Sequence, residues 1–212
     1  MKVNKEVAEL MGIMLGDGCL SRSCNSYTVY IYGHKYDDFQ YHNNITKKLF
    51  LKLFNKKVSI GFKKNENTLY IRFRDKEIFN TLNFLGVPIG NKYSRLKIPE
   101  ILVKKDELLP LFIRGLIDTD GCVIFSKQHR SIPYYPRIEL TSKSYNFLKE
   151  ILNFLVKKRF YGSISDKGRA YRLEISGFKN LDNWINTIGF NNPKHFKKIG
   201  ALYGPQNASA QT

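Results

Sequence analysis

The chain has 212 residues, 42% of them hydrophobic, enough for a packed core in one large domain or two small ones. Its 35 Lys and Arg stand against 18 Asp and Glu, a formal net charge of +17. Such charge favours a polyanionic partner, nucleic acid ahead of an anionic membrane surface, because cations along a phosphate backbone release counterions.

No apolar run is long enough to span a bilayer, and the N-terminal MKVNKEVAEL has no apolar signal core. Cys19, Cys24 and Cys122 form no CxxC pair, which argues against a disulfide framework or a zinc site. The expected location is therefore intracellular: cytoplasm, nucleoid or organelle.

The spacing of Val7, Leu10, Met11 and Met14 predicts a helix over 5–16, with Asn4 as its cap. Gly12 and Gly16 cost that helix about 0.5–1 kcal/mol each relative to Ala. The cost makes sense if another backbone approaches closely there. Thr28, Tyr30 and Tyr32 alternate with Val29 and Ile31 as a half-buried strand. Gly33-His34-Lys35 turns the chain towards Asp37 and Asp38, which suit a helix start before Tyr41, Ile45, Leu49 and Leu53. A hairpin follows, in which Ile60 and Phe62 precede the turn Asn65-Glu66-Asn67, and Leu69, Ile71 and Phe73 alternate with Tyr70, Arg72 and Arg74. Asp75 begins a helix carrying Ile78, Phe79, Leu82 and Leu85, and Gly86 ends it.

The cycle then restarts. Pro110 suits the first turn of a helix that runs to Asp120. Strands are expected near 122–127 and 136–141, a helix through Phe147, Leu148, Ile151, Leu152 and Leu155, a hairpin of 161–165 with 171–176, and a last clear helix ending at Gly189. The chain thus divides into a first repeat, 1–87, a Pro-, Gly- and Lys-bearing linker, 88–107, and a second repeat, 108–203. A tail, 204–212, has the composition of a disordered end.

Two stretches tie the repeats together: LMGIMLGDG, Leu10 to Gly18, and FIRGLIDTDG, Phe112 to Gly121. Their Asp-Gly pairs differ by 120 − 17 = 103 positions, and Gly12/Gly115, Cys19/Cys122 and Gly86/Gly189 share that offset. Each half reads helix, two strands, helix, two strands, helix. The fold class is α+β, two αββαββα halves packed about a pseudo-twofold axis. The matched cysteines read as small packing residues.

Asp17 and Asp120 fall at helix C-termini, where a negative side chain opposes the helix dipole by roughly 0.3–1 kcal/mol. An acid there in both copies points to a bound cation. If the helices pack through Gly12 and Gly115, both carboxylates meet, and they repel unless a cation lies between them. Mg²⁺ suits such a site, since it takes a few carboxylate oxygens, keeps waters and accepts phosphate oxygens. That arrangement serves in-line attack of water on a phosphodiester. Asp118-Thr119-Asp120-Gly121 is not a calcium loop: its glycine comes too early, and His129 stands where the bidentate Glu belongs.

The paired motifs resemble those of the LAGLIDADG homing endonucleases, in the single-chain, two-repeat form, and the resemblance covers about residues 5–200. It implies a saddle of antiparallel sheet on double-stranded DNA, motif helices packed at the interface, and metal-dependent cleavage of both strands at a long site by a monomer. It implies Mg²⁺ as cofactor, with Mn²⁺ or Ca²⁺ able to substitute in binding. The last acids of the motifs, Asp17 and Asp120, map to the metal ligands, joined by the preceding carbonyls of Gly16 and Thr119. Leu15 stands where the second motif has Asp118, so Asp118 falls outside the chemistry. No protein-splicing elements flank the chain, so a free-standing, intron-encoded enzyme is expected.

The family also places a lysine from each half near the scissile phosphates. Lys92 is favoured in the first half, with Lys97 second. Lys194 is favoured in the second, while ungapped matching gives His195. The outward strand positions would contact DNA: Thr28, Tyr30, Tyr32, Lys63, Tyr70, Arg72, Arg74, Lys127, Arg137 and Arg172, with His34, Lys35 and Lys143 beside them. The alternative function is an RNA maturase, with intron RNA as partner, or a DNA-binding regulator on the same scaffold.

Overall fold

A computed structural model describes residues 3–203; the tail expected over 204–212 lies outside them. The first half contains helix α1 (Lys5–Leu15), strands β1 (Gly18–Ser23) and β2 (Ser26–His34), helices α2 (Phe39–Tyr41) and α3 (Lys47–Phe54) joined by a π-helical turn (His42–Thr46), strands β3 (Ile60–Phe62) and β4 (Thr68–Arg74), and helix α4 (Lys76–Phe84). A 3-10 turn (Tyr93–Arg95) and the short helix α5 (Glu100–Val103) occupy the linker. The second half contains α6 (Leu109–Asp120), β5 (Gly121–Ser126), β6 (Tyr135–Ser142), α7 (Tyr145–Lys157), β7 (Gly162–Asp166), β8 (Tyr171–Ser176) and α8 (Phe178–Thr187), followed by α9 (Pro193–Tyr203).

The two four-stranded sheets have matching orders, β1-β2-β4-β3 and β5-β6-β8-β7, and every strand pairing within them is antiparallel. Val29, Ile31, Leu69 and Ile71 of one sheet, and Val123, Ile138, Leu173 and Ile175 of the other, are buried in the core. The helices cover that apolar side, with Phe50, Phe79, Phe147 and Trp184 buried. Period-two alternation leaves the opposite side of each sheet to the polar residues.

Helix ends follow the local chemistry. Asn4 Oδ1 accepts from the Val7 amide at 3.0 Å, Asp75 Oδ1 from Ile78 at 3.1 Å and Ser144 Oγ from Phe147 at 3.2 Å, each satisfying an orphan donor. Asp38 sits at the N-cap of α2 without capping it, because its carboxylate is engaged elsewhere.

Helices α1 and α6 form the seam between the halves. A Cβ on Gly12 would fall on the Phe112 carbonyl oxygen and 2.8 Å from the Leu116 nitrogen. A Cβ on Gly115 would meet the Glu9 carbonyl oxygen and lie 3.1 Å from the Ile13 nitrogen. Backbone therefore packs on backbone, which offsets the low helix propensity of both glycines.

Candidate metal and nucleic-acid site

The seam brings Asp17 and Asp120 to one end of the helix pair. Burial pushes the Asp17 carboxyl well above the usual carboxylate range, and repulsion from Asp120 and Asp38 adds to the effect. Asp120 is also raised, by burial first, although Lys92, Lys194 and a hydrogen bond with Asp17 pull the other way. Two carboxyls brought together in this way repel when both are ionised, and a cation between them would relieve that repulsion.

Each half adds a lysine. Lys92 Nζ donates to the Gly16 carbonyl and, at 3.0 Å, to that of Gly18. Lys194 Nζ donates to the Thr119 carbonyl at 3.2 Å. Positive charge thus already rests on the two carbonyls expected to help hold a metal, so oxygen donors and negative potential coincide there. The residues present fit a divalent cation held by Asp17, Asp120 and the carbonyls of Gly16 and Thr119.

The local fold places both lysines. Ile89 bridges Leu20, and the Gly90 amide donates to the Leu20 carbonyl at 2.7 Å, so the linker lies along β1 and brings Lys92 in. Burial pulls the Lys92 ammonium below its usual range, while Asp120 and Asp17 oppose that shift. In the second half, Asn192 Nδ2 donates to the carboxylate of Asp38 at 2.8 Å and to the Asp118 carbonyl at 2.9 Å. The Asn191 amide donates to Asp118 Oδ2 at 2.8 Å. Lys194 itself pairs with Asp38 at 3.0 Å. Burial works to raise the Asp38 carboxyl, but Lys194, the His34 amide and Asn192 overcome it and hold it below its usual range.

These contacts separate the alternatives left open by sequence. Lys97 is exposed and pairs with Glu100 at 2.6 Å, away from the carboxylates. His195 is fully buried, 3.5 Å from Asp118, and cannot meet a substrate. Asp118 is also fully buried, and burial pushes its carboxyl up to about 7. It anchors the segment that carries Lys194. Sequence reasoning missed Asp38, Asn191 and Asn192 as supporting residues. The NNP turn before Lys194 was the only signal for the two asparagines.

A cleft of about 670 Å³ opens above the dyad, lined by Gly16, Asp17, Cys19, Tyr32, Lys92, Tyr93, Asp120 and Thr141. Cys19 and Cys122 are half-buried at outward strand positions, not packed in the core. On the first sheet Tyr30 and Tyr32 stack at 5.8 Å, Arg72 lies 5.5 Å over Tyr30 and Lys63 lies 5.6 Å over Tyr32. Tyr70 is half-buried, and Arg74 and His34 are exposed. Lys35 packs on Tyr36 and Phe62. Lys143 lies 4.6 Å over Tyr93, Lys127 is exposed, and Arg137 and Arg172 are partly exposed on the second sheet. Thr28 is the exception. It is only 4% exposed, flanked by Ser21 and Arg74 on the neighbouring strands, and its hydroxyl pairs with Ser26 at 3.1 Å. Its short side chain is covered by these neighbours, unlike the longer Tyr30 and Tyr32 of the same strand, so it is unavailable to DNA.

Residues 107–189 match the family model described as LAGLIDADG-like domain. The match lies in the second half of the chain. The described residues have the two-domain LAGLIDADG fold. It superposes on the homing endonuclease I-WcaI bound to its DNA recognition sequence with a TM-score of 0.65, at 13% identity, covering 93% of this chain and 88% of that one. With I-DmoI in complex with DNA and Mn the TM-score is 0.61 at 20% identity, covering 87% and 96%. With the LAGLIDADG meganuclease I-AabMI bound to uncleaved DNA it is 0.62 at 14% identity, covering 99% and 94%.

By sequence, the chain is 27% identical over 200 residues to a probable translation initiation factor IF-2 of Methanocaldococcus jannaschii, covering 92% of this chain and 15% of that protein. It is 23% identical over 210 residues to a replicative DNA helicase DnaB of Rhodothermus marinus, covering 92% and 21%. The chain therefore spans only a small part of the curated relatives it matches. No helix among the described residues is long and apolar enough to cross a membrane.

Proposed function

We propose that this chain is a site-specific DNA endonuclease that hydrolyses one phosphodiester in each strand of a duplex, as a monomer with Mg²⁺. The observation that carries the reading is the paired motif end: two carboxyls lining one cleft, with a lysine from each half on the carbonyl before each acid. Asp17 and Asp120, with the carbonyls of Gly16 and Thr119, would hold the cation. When bound, it supplies Lewis-acid stabilisation of the phosphate charge. Lys92 and Lys194 stand beside the reacting phosphates, where an ammonium orients water and offsets the charge that develops as the P–O3′ bond breaks. The Tyr- and Arg-bearing sheet faces meet the major groove, which admits a β-ribbon, and the excess of lysine holds phosphates.

A randomised duplex library offered with Mg²⁺ tests this reading. A cleaved subset that disappears with EDTA supports it. A library that stays intact under all divalent cations overturns it.

A further inference from the structure

The pseudo-twofold axis makes the two DNA-facing surfaces directly comparable, and they differ in one respect that the repeat does not require. Cys19 pairs with Tyr30, which pairs with Arg72. The matched rung in the second half is Cys122, Glu139 and Glu174. An aromatic and a cation in one sheet are thus replaced by two acids directly opposite each other in the other.

Like charges facing across a β-ladder are unfavourable, and two arginines offset them. Arg137 Nη1 lies 3.2 Å from Glu174 and 3.7 Å from Glu139, and Arg172 Nη1 lies 3.2 Å from Glu139. Glu139 is only 6% exposed beneath these guanidiniums. Over six matched positions the first sheet carries the buried Thr28 and presents Tyr30, Tyr32, Tyr70, Arg72 and Arg74, with two cations and no acid. The second presents Arg137, Glu139, Thr141, Arg172, Glu174 and Ser176, in which the charges cancel.

We infer that the second sheet is the discriminating half of the DNA surface and that its Arg–Glu lattice is built to read G·C pairs. This rests on the endonuclease reading above. The lattice removes Arg137 and Arg172 from sequence-blind phosphate binding, because a phosphate must displace a carboxylate and approach a second one. A G·C pair in the major groove meets both partners at once. Guanine N7 and O6 accept from arginine, and cytosine N4 donates to glutamate. An A·T pair sets its one donor, adenine N6, between two acceptors, so it gives arginine no adjacent acceptor pair to bridge, and breaking the lattice there is compensated less. The first sheet, with Arg72 over Tyr30 and Lys63 over Tyr32, has no such barrier and holds duplex of any sequence more readily.

Glu174→Gln is the first test, since Glu139 remains to hold both arginines and the fold. Glu139→Gln is the second. Binding of wild type and each variant to a duplex of unrelated sequence is measured against salt, and cleaved sequences are selected from a randomised library. Freeing one guanidinium for phosphate steepens the salt slope by about 0.9 and tightens non-specific binding several-fold. The selected targets lose G·C preference only in the half-site under β6 and β8. An unchanged slope with unchanged targets, or relaxation in both half-sites alike, overturns the inference while the endonuclease reading stands. A wild-type chain that binds and cleaves no duplex overturns both.

Discussion

Gly12→Ala sets two magnitudes against each other. Helix propensity alone favours alanine by roughly 0.8–1.0 kcal/mol. The structure opposes this, because the new methyl would fall on the Phe112 carbonyl oxygen and 2.8 Å from the Leu116 nitrogen. Those atoms belong to a backbone and cannot rotate away. Overpacking of this kind costs about 1–3 kcal/mol, occasionally more, so the net change is a loss of up to about 2 kcal/mol. For a chain of this length each kcal/mol moves Tm by about 2–4 °C, which calorimetry resolves. Gly200→Ala in α9 is the control, since a methyl there meets nothing within 4 Å, and it should be neutral or stabilising. The seam also sets the distance between the carboxylates, and small misplacements at a reacting centre are costly. Gly12→Ala should therefore lower the cleavage rate more than it lowers DNA affinity. A higher Tm than wild type, or unchanged cleavage, would show that the helices do not meet backbone to backbone.

Lys92→Ala and Lys194→Ala should each slow hydrolysis by about 10²-fold or more, the scale for losing one charge-stabilising donor; supercoiled plasmid should accumulate as nicked circle before any linear product. Asp17→Asn should raise the Tm of the metal-free protein: a carboxyl whose folded pKa is raised loses stability as pH climbs from the unfolded value through the folded one. Ca²⁺ should stabilise wild type and leave Asp17→Asn little changed in the same thermal melts. His42 is fully buried, and burial holds its imidazole down to about 4. Because this base is depressed on folding, its contribution is intact above about pH 6.5 and is lost as pH falls towards 4, reaching about 2 kcal/mol at pH 5. Urea unfolding at pH 7 and pH 5 should therefore show a larger loss for wild type than for His42→Gln.

The sequence displayed what is local or repeated. Hydrophobic spacing, the Asn4 and Asp75 caps and the matched Asp-Gly ends all depend on neighbours within a few residues, so the helices and both halves were legible. The last helix, Pro193–Tyr203, was missed, because its polar stretch KHFKK hides the buried His195 and Ile199. Alternation set Thr28 outward, but its short side chain is covered by neighbours on the flanking strands, and pairing order is not written in one strand. The choice of Lys92 over Lys97 hangs on the Leu20–Ile89 bridge, a contact between distant segments. The same holds for Asp38, which reaches Lys194 across the two halves. The Arg–Glu lattice needed the register of β6 with β8, since nothing in the sequence sets Glu139 opposite Glu174.

Strand cleavage as proposed requires Asp17 and Asp120 to hold the cation together. Its most direct test compares wild type with the Asp17→Asn, Asp120→Asn double variant on the target selected by wild type, with Mg²⁺ and at one salt concentration. Wild type should give linear product and the variant none, with comparable duplex affinity for both. A double variant that still cuts both strands would contradict it.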